Sequence, residues 1–205
     1  MGLDKLDRYP RATTRAGRWL LPVLVLLIAV LLALGGEMTR QWLRFDRVAI
    51  GSGEFWRLVS GHFVHLGWPH FALNGAGLVL VWYLVGDVYG WFRWILIGVF
   101  TVIIMDVGLW IFDPMLMWYV GLSGLLHGIL AAGLMEKLRK PDTEALILML
   151  LLLGKLAWEQ FSGPLPGSES TAGGTVAVDS HLFGALGGVV GAILLRIRVR
   201  QGAAI

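Results

Sequence analysis

WFRWILIGVFTVIIMDVGLWIF, residues 91–112, is the stretch that decides the fold. Only Arg93 and Asp106 in it are charged, and an apolar run of about 20 residues is what a helix needs to cross the hydrocarbon core of a bilayer. Working outward, five further runs of this kind appear, at 19–34, 68–85, 122–138, 143–161 and 181–195. Trp19, Trp68, Tyr83, Trp91, Trp94, Trp118, Tyr119 and Trp158 cluster at their ends, as amphipathic rings do at a membrane–water interface. The expectation is an all-α integral membrane protein with six transmembrane helices. The first run is long and has no small-residue cleavage motif before Glu37, so it reads as a span rather than a removable signal.

Composition agrees. Of 205 residues, 57% are hydrophobic and 15% charged, with a mean hydropathy of +0.72. A soluble domain carries about 25% charged residues, so ordinary soluble enzymes are excluded, as are disordered and collagen-like chains. There is no cysteine, which removes disulfides, thiolate metal sites and thiol nucleophiles. The net charge of +3 is not gathered on one face, so no nucleic-acid partner is expected. Instead, 12 of the 17 basic residues fall on one side of the predicted topology, among them Lys5, Arg8, Arg11, Arg15, Arg18, Lys137, Arg139, Lys140, Arg196, Arg198 and Arg200. By the positive-inside rule both termini are cytoplasmic.

This divides the chain into a cytoplasmic tail (1–18), a membrane domain (19–198) and a second cytoplasmic tail (199–205). Within the domain, residues 37–67 are too polar to span, and Trp42, Leu43, Phe45, Val48, Ile50, Phe55 and Trp56 among arginines suggest a segment lying in the outer interface. The Pro- and Gly-rich stretch 162–180 reads as a mobile outer loop just before His181, placed to act as a lid.

Polar side chains at membrane depth are costly and mark candidate sites. Three groups fall at similar depth on the outer side: Gly121 to Gly128, containing Ser123 and His127; His62, His65, His70 and Asn74; and His181 with Gly184, Gly187, Gly188 and Gly191. Gly124, Gly128 and Ala132 form a small-xxx-small stripe, as do Gly184 with Gly188 and Gly187 with Gly191, letting helix backbones approach closely. If the fourth and sixth spans pack through these stripes, Ser123 and His181 come within hydrogen-bonding reach. His70 and Asn74, four apart, share one helix face. A serine activated by an imidazole with polar donors opposite is a nucleophile facing an oxyanion hole. Taken singly, Ser123 reads as a packing residue and His181 as a cap. No carboxylate or third ligand stands at a recognisable spacing from His62 and His65, so no metal is expected, and no cofactor.

These residues resemble the rhomboid intramembrane serine proteases. The resemblance is carried by Trp56-Arg57, the His62, His65, His70 and Asn74 series, Gly121-x-Ser123-Gly124 and His181-x-x-Gly184-x-x-x-Gly188. It is nearest the bacterial rhombosortase branch, through the stretches at 61–65, 121–128 and 179–186. The resemblance implies a six-helix bundle with a short fourth helix, in a bacterial inner membrane with its active site facing the periplasm. It implies Ser123 as nucleophile and His181 as general base in a Ser-His dyad. Asn74, His70 and the backbone N–H groups of Ser123 and Leu122 would stabilise the oxyanion, and Trp56 and Arg57 would brace the first loop. The implied partners are membrane-anchored proteins with a C-terminal Gly-Gly-type signal, a transmembrane helix and a basic tail.

Two departures stand out. Many rhomboids carry a tyrosine four residues after the serine; here His127 takes that place, to stack beneath His181, hydrogen-bond to it, change its basicity, or merely pack. The usual G-x-x-x-E after the second span is replaced by Gly86-Asp87 and then Gly90. Asp179, two residues before His181, points away from it on a helix and reads as a surface or capping residue. Asp106 and Lys155 lie deeper and pair with one another, or Lys155 pairs with Glu159 one turn on. Two rival readings are a catalytically silent rhomboid-like escort of transmembrane helices, and a small-solute or metal transporter using the histidines. The transporter would show an inverted repeat, and none is visible.

Overall fold

The computed structural model describes residues 15–202; most of the expected N-terminal tail and the last three residues lie outside the described residues. The elements run α1 (Arg15–Arg18), α2 (Leu20–Leu34), α3 (Gly36–Leu43), β1 (Phe45–Asp46), α4 (Arg47–Gly51), α5 (Arg57–Ser60), α6 (Trp68–Val85), α7 (Trp91–Phe112), β2 (Trp118–Tyr119), α8 (Ser123–Lys137), α9 (Thr143–Ser162), α10 (Ser168–Ala172) and α11 (Val178–Gly202). Every predicted run becomes a helix, with α6 and α7 at the expected bounds. Local chemistry sets several ends: Pro69 opens α6, and the Asp142 carboxylate accepts from Ala145 N at 2.9 Å to cap α9.

Among the described residues, α6, α7, α9 and α11 are long and apolar enough to cross a membrane, and α2 with α3 forms a fifth candidate bent by 115°. The bend falls at Gly35–Gly36, where Gly36 takes φ +64°. The fourth predicted run is shorter than a full span. At 15 residues, α8 rises only about 22 Å, against a hydrocarbon core of about 30 Å.

That short helix is the centre of the molecule. Leu125, Leu126, Ile129, Ala131, Ala132 and Leu134 are buried around its whole circumference, as expected of a helix enclosed by others. Glycine makes the enclosure tight. A Cβ on Gly184 or Gly188 of α11 would collide with the carbonyl of Gly124 or Gly128 on α8, and one on Gly187 would stand 2.7 Å from Thr101 Cα of α7. So α11 presents one glycine stripe to α8 and a second to α7, and both contacts are backbone against backbone.

Residues 36–67 are more structured than a surface-lying loop. β1 pairs antiparallel with β2, Phe45 opposite Tyr119 and Asp46 opposite Trp118. Arg47 reaches across to the carbonyls of Leu109 (2.8 Å), Trp110 (3.0 Å), Asp113 (2.7 Å) and Leu116 (3.0 Å), tying off the C-terminus of α7. Arg57 is buried and donates to Glu54 (2.6 Å) and the carbonyls of Gln41 (2.7 Å) and Arg44 (3.1 Å), while Trp56 Nε1 reaches Trp42 O at 3.4 Å. These two residues hold the segment together from within. The 162–180 stretch carries the short helix α10, and α11 starts at Val178, three residues before the predicted span.

Replacing Gly188 by Ala should lower stability by about 1–3 kcal/mol, because the added methyl has only backbone to displace. Gly154→Ala on α9, where a Cβ meets nothing within 4 Å, should be neutral or stabilising by up to about 1 kcal/mol. Thermal or SDS unfolding of the detergent-solubilised protein compares the two.

Candidate active site

The chain enters α8 through a turn that only glycine can make. Gly121 has φ +121°, and a Cβ there would lie 2.8 Å from His70 Cε1 and 3.5 Å from Asn74 Nδ2. Gly121 N donates to Gly61 O at 3.1 Å, and its carbonyl accepts from the buried Tyr119 hydroxyl at 2.5 Å. Burial pushes the Tyr119 phenol up, so it stays protonated and able to donate. Ser123 follows as the first residue of α8, where first-turn N–H groups have no partner within the helix.

Across the glycine contact, α11 brings His181 over this helix start. His181 Nε2 lies 3.0 Å from Ser123 Oγ, between residues 58 apart in the chain. Its Nδ1 lies 2.9 Å from Glu159 Oε2 on α9. A carboxylate on Nδ1 fixes the proton there and leaves the Nε2 lone pair facing the hydroxyl. The other oxygen of Glu159 accepts from Lys155 Nζ at 2.7 Å, and Lys155 Nζ is 3.3 Å from His181 Nδ1. His127 lies flat against His181, with ring centroids 4.2 Å apart and planes 19° from parallel, its Nδ1–H donating to the Ser123 carbonyl at 2.7 Å. Of the roles open to His127, stacking is the one the geometry adopts.

On the opposite side of Gly121 stand His70 and Asn74 of α6. Leu66 N donates to His70 Nδ1 at 3.3 Å, so neutral His70 carries its proton on Nε2, the atom beside Gly121. The Asn74 amide is buried and spends one hydrogen on His70 O at 3.2 Å. His65 packs edge-on against His70 at 5.2 Å and keeps that ring in place. Burial, with His70 nearby, pushes His65 down to about 4, so it is an uncharged support.

Sequence reading nominated Ser123, His181, His70, Asn74, Leu122, Gly121, Gly124, His127, Gly184 and Gly188, and the fold gathers them around one helix start. Trp56 and Arg57 stand apart, in the bracing segment. Asp106 pairs with the buried His62 at 3.1 Å, not with Lys155. Lys155 takes the alternative partner, Glu159. His127, Glu159 and His181 offer ligand atoms within 4.8 Å of one another, a spacing a metal ion could use. The Lys155 ammonium already lies against this cluster, however, and a divalent cation would face that fixed charge.

The Rhomboid domain family matches residues 52–198, which include every residue of this cluster. The chain belongs to the rhomboid family. It is 24% identical over 146 residues to a Bacillus subtilis (strain 168) protein named "Putative rhomboid protease YdcA", covering 69% of this chain and 67% of that one. Rhomboids are intramembrane serine proteases, so membership makes this a multi-pass membrane protein of a protease family whose substrates are embedded in membranes.

Glu159 is the site neighbour that sequence reading did not connect to His181. The nearest carboxylate in sequence, Asp179, is two residues from His181, but the one that reaches the imidazole comes from another helix, 22 residues away. A carboxylate near the outer end of a membrane helix, beyond what its ion pair with Lys155 requires, is the available signal. In this rhomboid Gly121→Ala should cost about 1–3 kcal/mol and push His70 aside. Thermal unfolding, with the reactivity of Ser123 toward a fluorophosphonate, measures both effects.

Proposed function

We propose that this rhomboid is an intramembrane serine endopeptidase in which Ser123 is the nucleophile and His181 the general base. The observation that carries the reading is the 3.0 Å contact between His181 Nε2 and Ser123 Oγ at the start of a buried helix. Ser123 Oγ attacks the scissile carbonyl as His181 Nε2 takes its proton. The tetrahedral oxyanion is met by the N–H groups of Leu122 and Ser123 and by Asn74 Nδ2 and His70 Nε2–H. His181 then gives the proton to the leaving amine, and water hydrolyses the acyl-enzyme in the second half.

The finer reading is a six-span bundle in the bacterial inner membrane, both termini cytoplasmic and the site open to the periplasm. The distribution of lysine and arginine supports this sidedness. The short α8 supports a water-filled site, because a helix shorter than the bilayer leaves its serine recessed below one face at the bottom of a cavity that water can enter. The rhombosortase-like stretches at 61–65, 121–128 and 179–186 support a substrate cut at a C-terminal Gly-Gly-type signal ahead of a transmembrane helix. Small helix-breaking residues unwind readily and expose a carbonyl to attack.

A fluorophosphonate should label wild-type protein on Ser123, with labelling lost in Ser123→Ala and strongly reduced in His181→Ala. Mass-spectrometric location of the adduct on another residue would overturn the assignment. Asn74→Ala should lower turnover about 100-fold or more if it stabilises the oxyanion, and an unchanged rate would leave it a packing role.

A further inference from the structure

We infer that Glu159 is the third member of the hydrolytic relay, a positioning residue that acts through His181 and makes the apparatus a Ser-His-Glu triad. The inference rests on the serine-protease reading above. Its basis is how the two oxygens of one carboxylate are used: Oε1 accepts from Lys155 at 2.7 Å, and Oε2 lies 2.9 Å from His181 Nδ1. An ion pair within α9 needs only the first of these. The second is directed across to α11, at the nitrogen opposite the one that faces Ser123.

The placement is costly enough to require a reason. Glu159 is only 3% exposed, in a helix otherwise apolar enough to cross a membrane. A charge at such depth is expensive unless paired, and an ion pair alone gives little net stability over apolar residues of the same size. Lys155, with 28% of its side chain exposed, provides the pairing from the rim of the helix bundle. The arrangement therefore keeps an ionised carboxylate buried against an imidazole. His127 closes the other flank by stacking on His181, which leaves the ring with its Nε2 edge toward Ser123.

The chemistry balances without a further reactant. In the resting state the Nδ1–H of His181 donates to Glu159 Oε2, so Nε2 is unprotonated. As the Ser123 Oγ–carbon bond forms, the carbonyl π pair moves to oxygen and the hydroxyl proton moves to Nε2. The resulting imidazolium keeps its Nδ1 proton and is stabilised by the Glu159 charge, which at 2.9 Å stands closer to Nδ1 than the opposing Lys155 ammonium at 3.3 Å, with no proton passing to the carboxylate. When the C–N bond breaks, the Nε2 proton leaves with the amine. Glu159 thus selects the tautomer and stabilises a charge that exists only after attack begins, so it acts on kcat rather than on substrate binding.

The test is steady-state cleavage of a transmembrane substrate by the full-length protein in bilayers. Glu159→Gln should lower kcat roughly 10²–10⁴-fold with KM changed less than about 2-fold. Glu159→Asp, which restores the charge, should recover at least about 10-fold over the amide, and Glu159→Gln should add no loss to Ser123→Ala. A wild-type kcat in Glu159→Gln, or a loss matched by an equal loss of folded protein and not relieved by Asp, would overturn the inference. Nitrogen-15 NMR of histidine-labelled wild type, assigned with His181→Gln, needs no variant at 159; it should find resting His181 protonated at Nδ1, and protonation at Nε2 alone would contradict the triad. Failure of wild type to cleave, or retained cleavage by Ser123→Ala, would instead sink the protease reading itself.

Discussion

Two helix backbones in direct contact set the geometry of the rest. Gly124 and Gly128 of α8 lie against Gly184 and Gly188 of α11 so closely that no side chain fits between them. In a bilayer, lipid tails are as apolar as leucine, so helices gain from close packing rather than from escape from water. Here that packing has a chemical consequence: it fixes the axial register of α11 against α8, and so the height of His181 over Ser123. A leucine at any of the four positions would part the helices by a side-chain diameter, and a 3.0 Å hydrogen bond cannot stretch that far.

Around this contact the buried charges are paired. Glu159 is shared by Lys155 and His181, and His62 is bound to Asp106 beneath the Tyr119 ring. The segment 36–67 works from the other direction. Its β1 strand holds β2, and Tyr119 of β2 holds the carbonyl of Gly121, the turn that aims Ser123. Arg47 and Arg57 anchor this chain of contacts to α7 and to the segment's own backbone. Mutations far from the serine along this route are therefore expected to act on its position.

The sequence made much of this legible because membrane helices obey strong rules. Unbroken apolar runs became helices almost to the residue for α6 and α7, and the small-residue stripes foretold which helices would touch. Ser123, His181, His70 and Asn74 could be nominated because polar groups at one depth stand out against leucine and valine. What stayed hidden depends on tertiary contacts that leave little periodic signal. A two-residue strand pair whose partners, Phe45 with Tyr119 and Asp46 with Trp118, are more than 70 residues apart in the chain has no period to detect. Asp106 finds His62 and Glu159 finds His181 through tertiary contacts alone; shared depth offered Lys155 to Asp106, and the one carboxylate close to His181 in sequence, Asp179, points away from it.

The most direct test of the central claim, that close helix packing assembles a nucleophile facing its base and oxyanion donors, is a crystal structure of the protein carrying a peptidyl phosphonate. The account predicts phosphorus bonded to Ser123 Oγ, with a phosphonyl oxygen within about 3.2 Å of Asn74 Nδ2 and the Leu122 or Ser123 N–H and the Gly128–Gly188 contact intact. An adduct whose oxygen turns away from α6, or one formed only with α8 and α11 drawn apart, would contradict it.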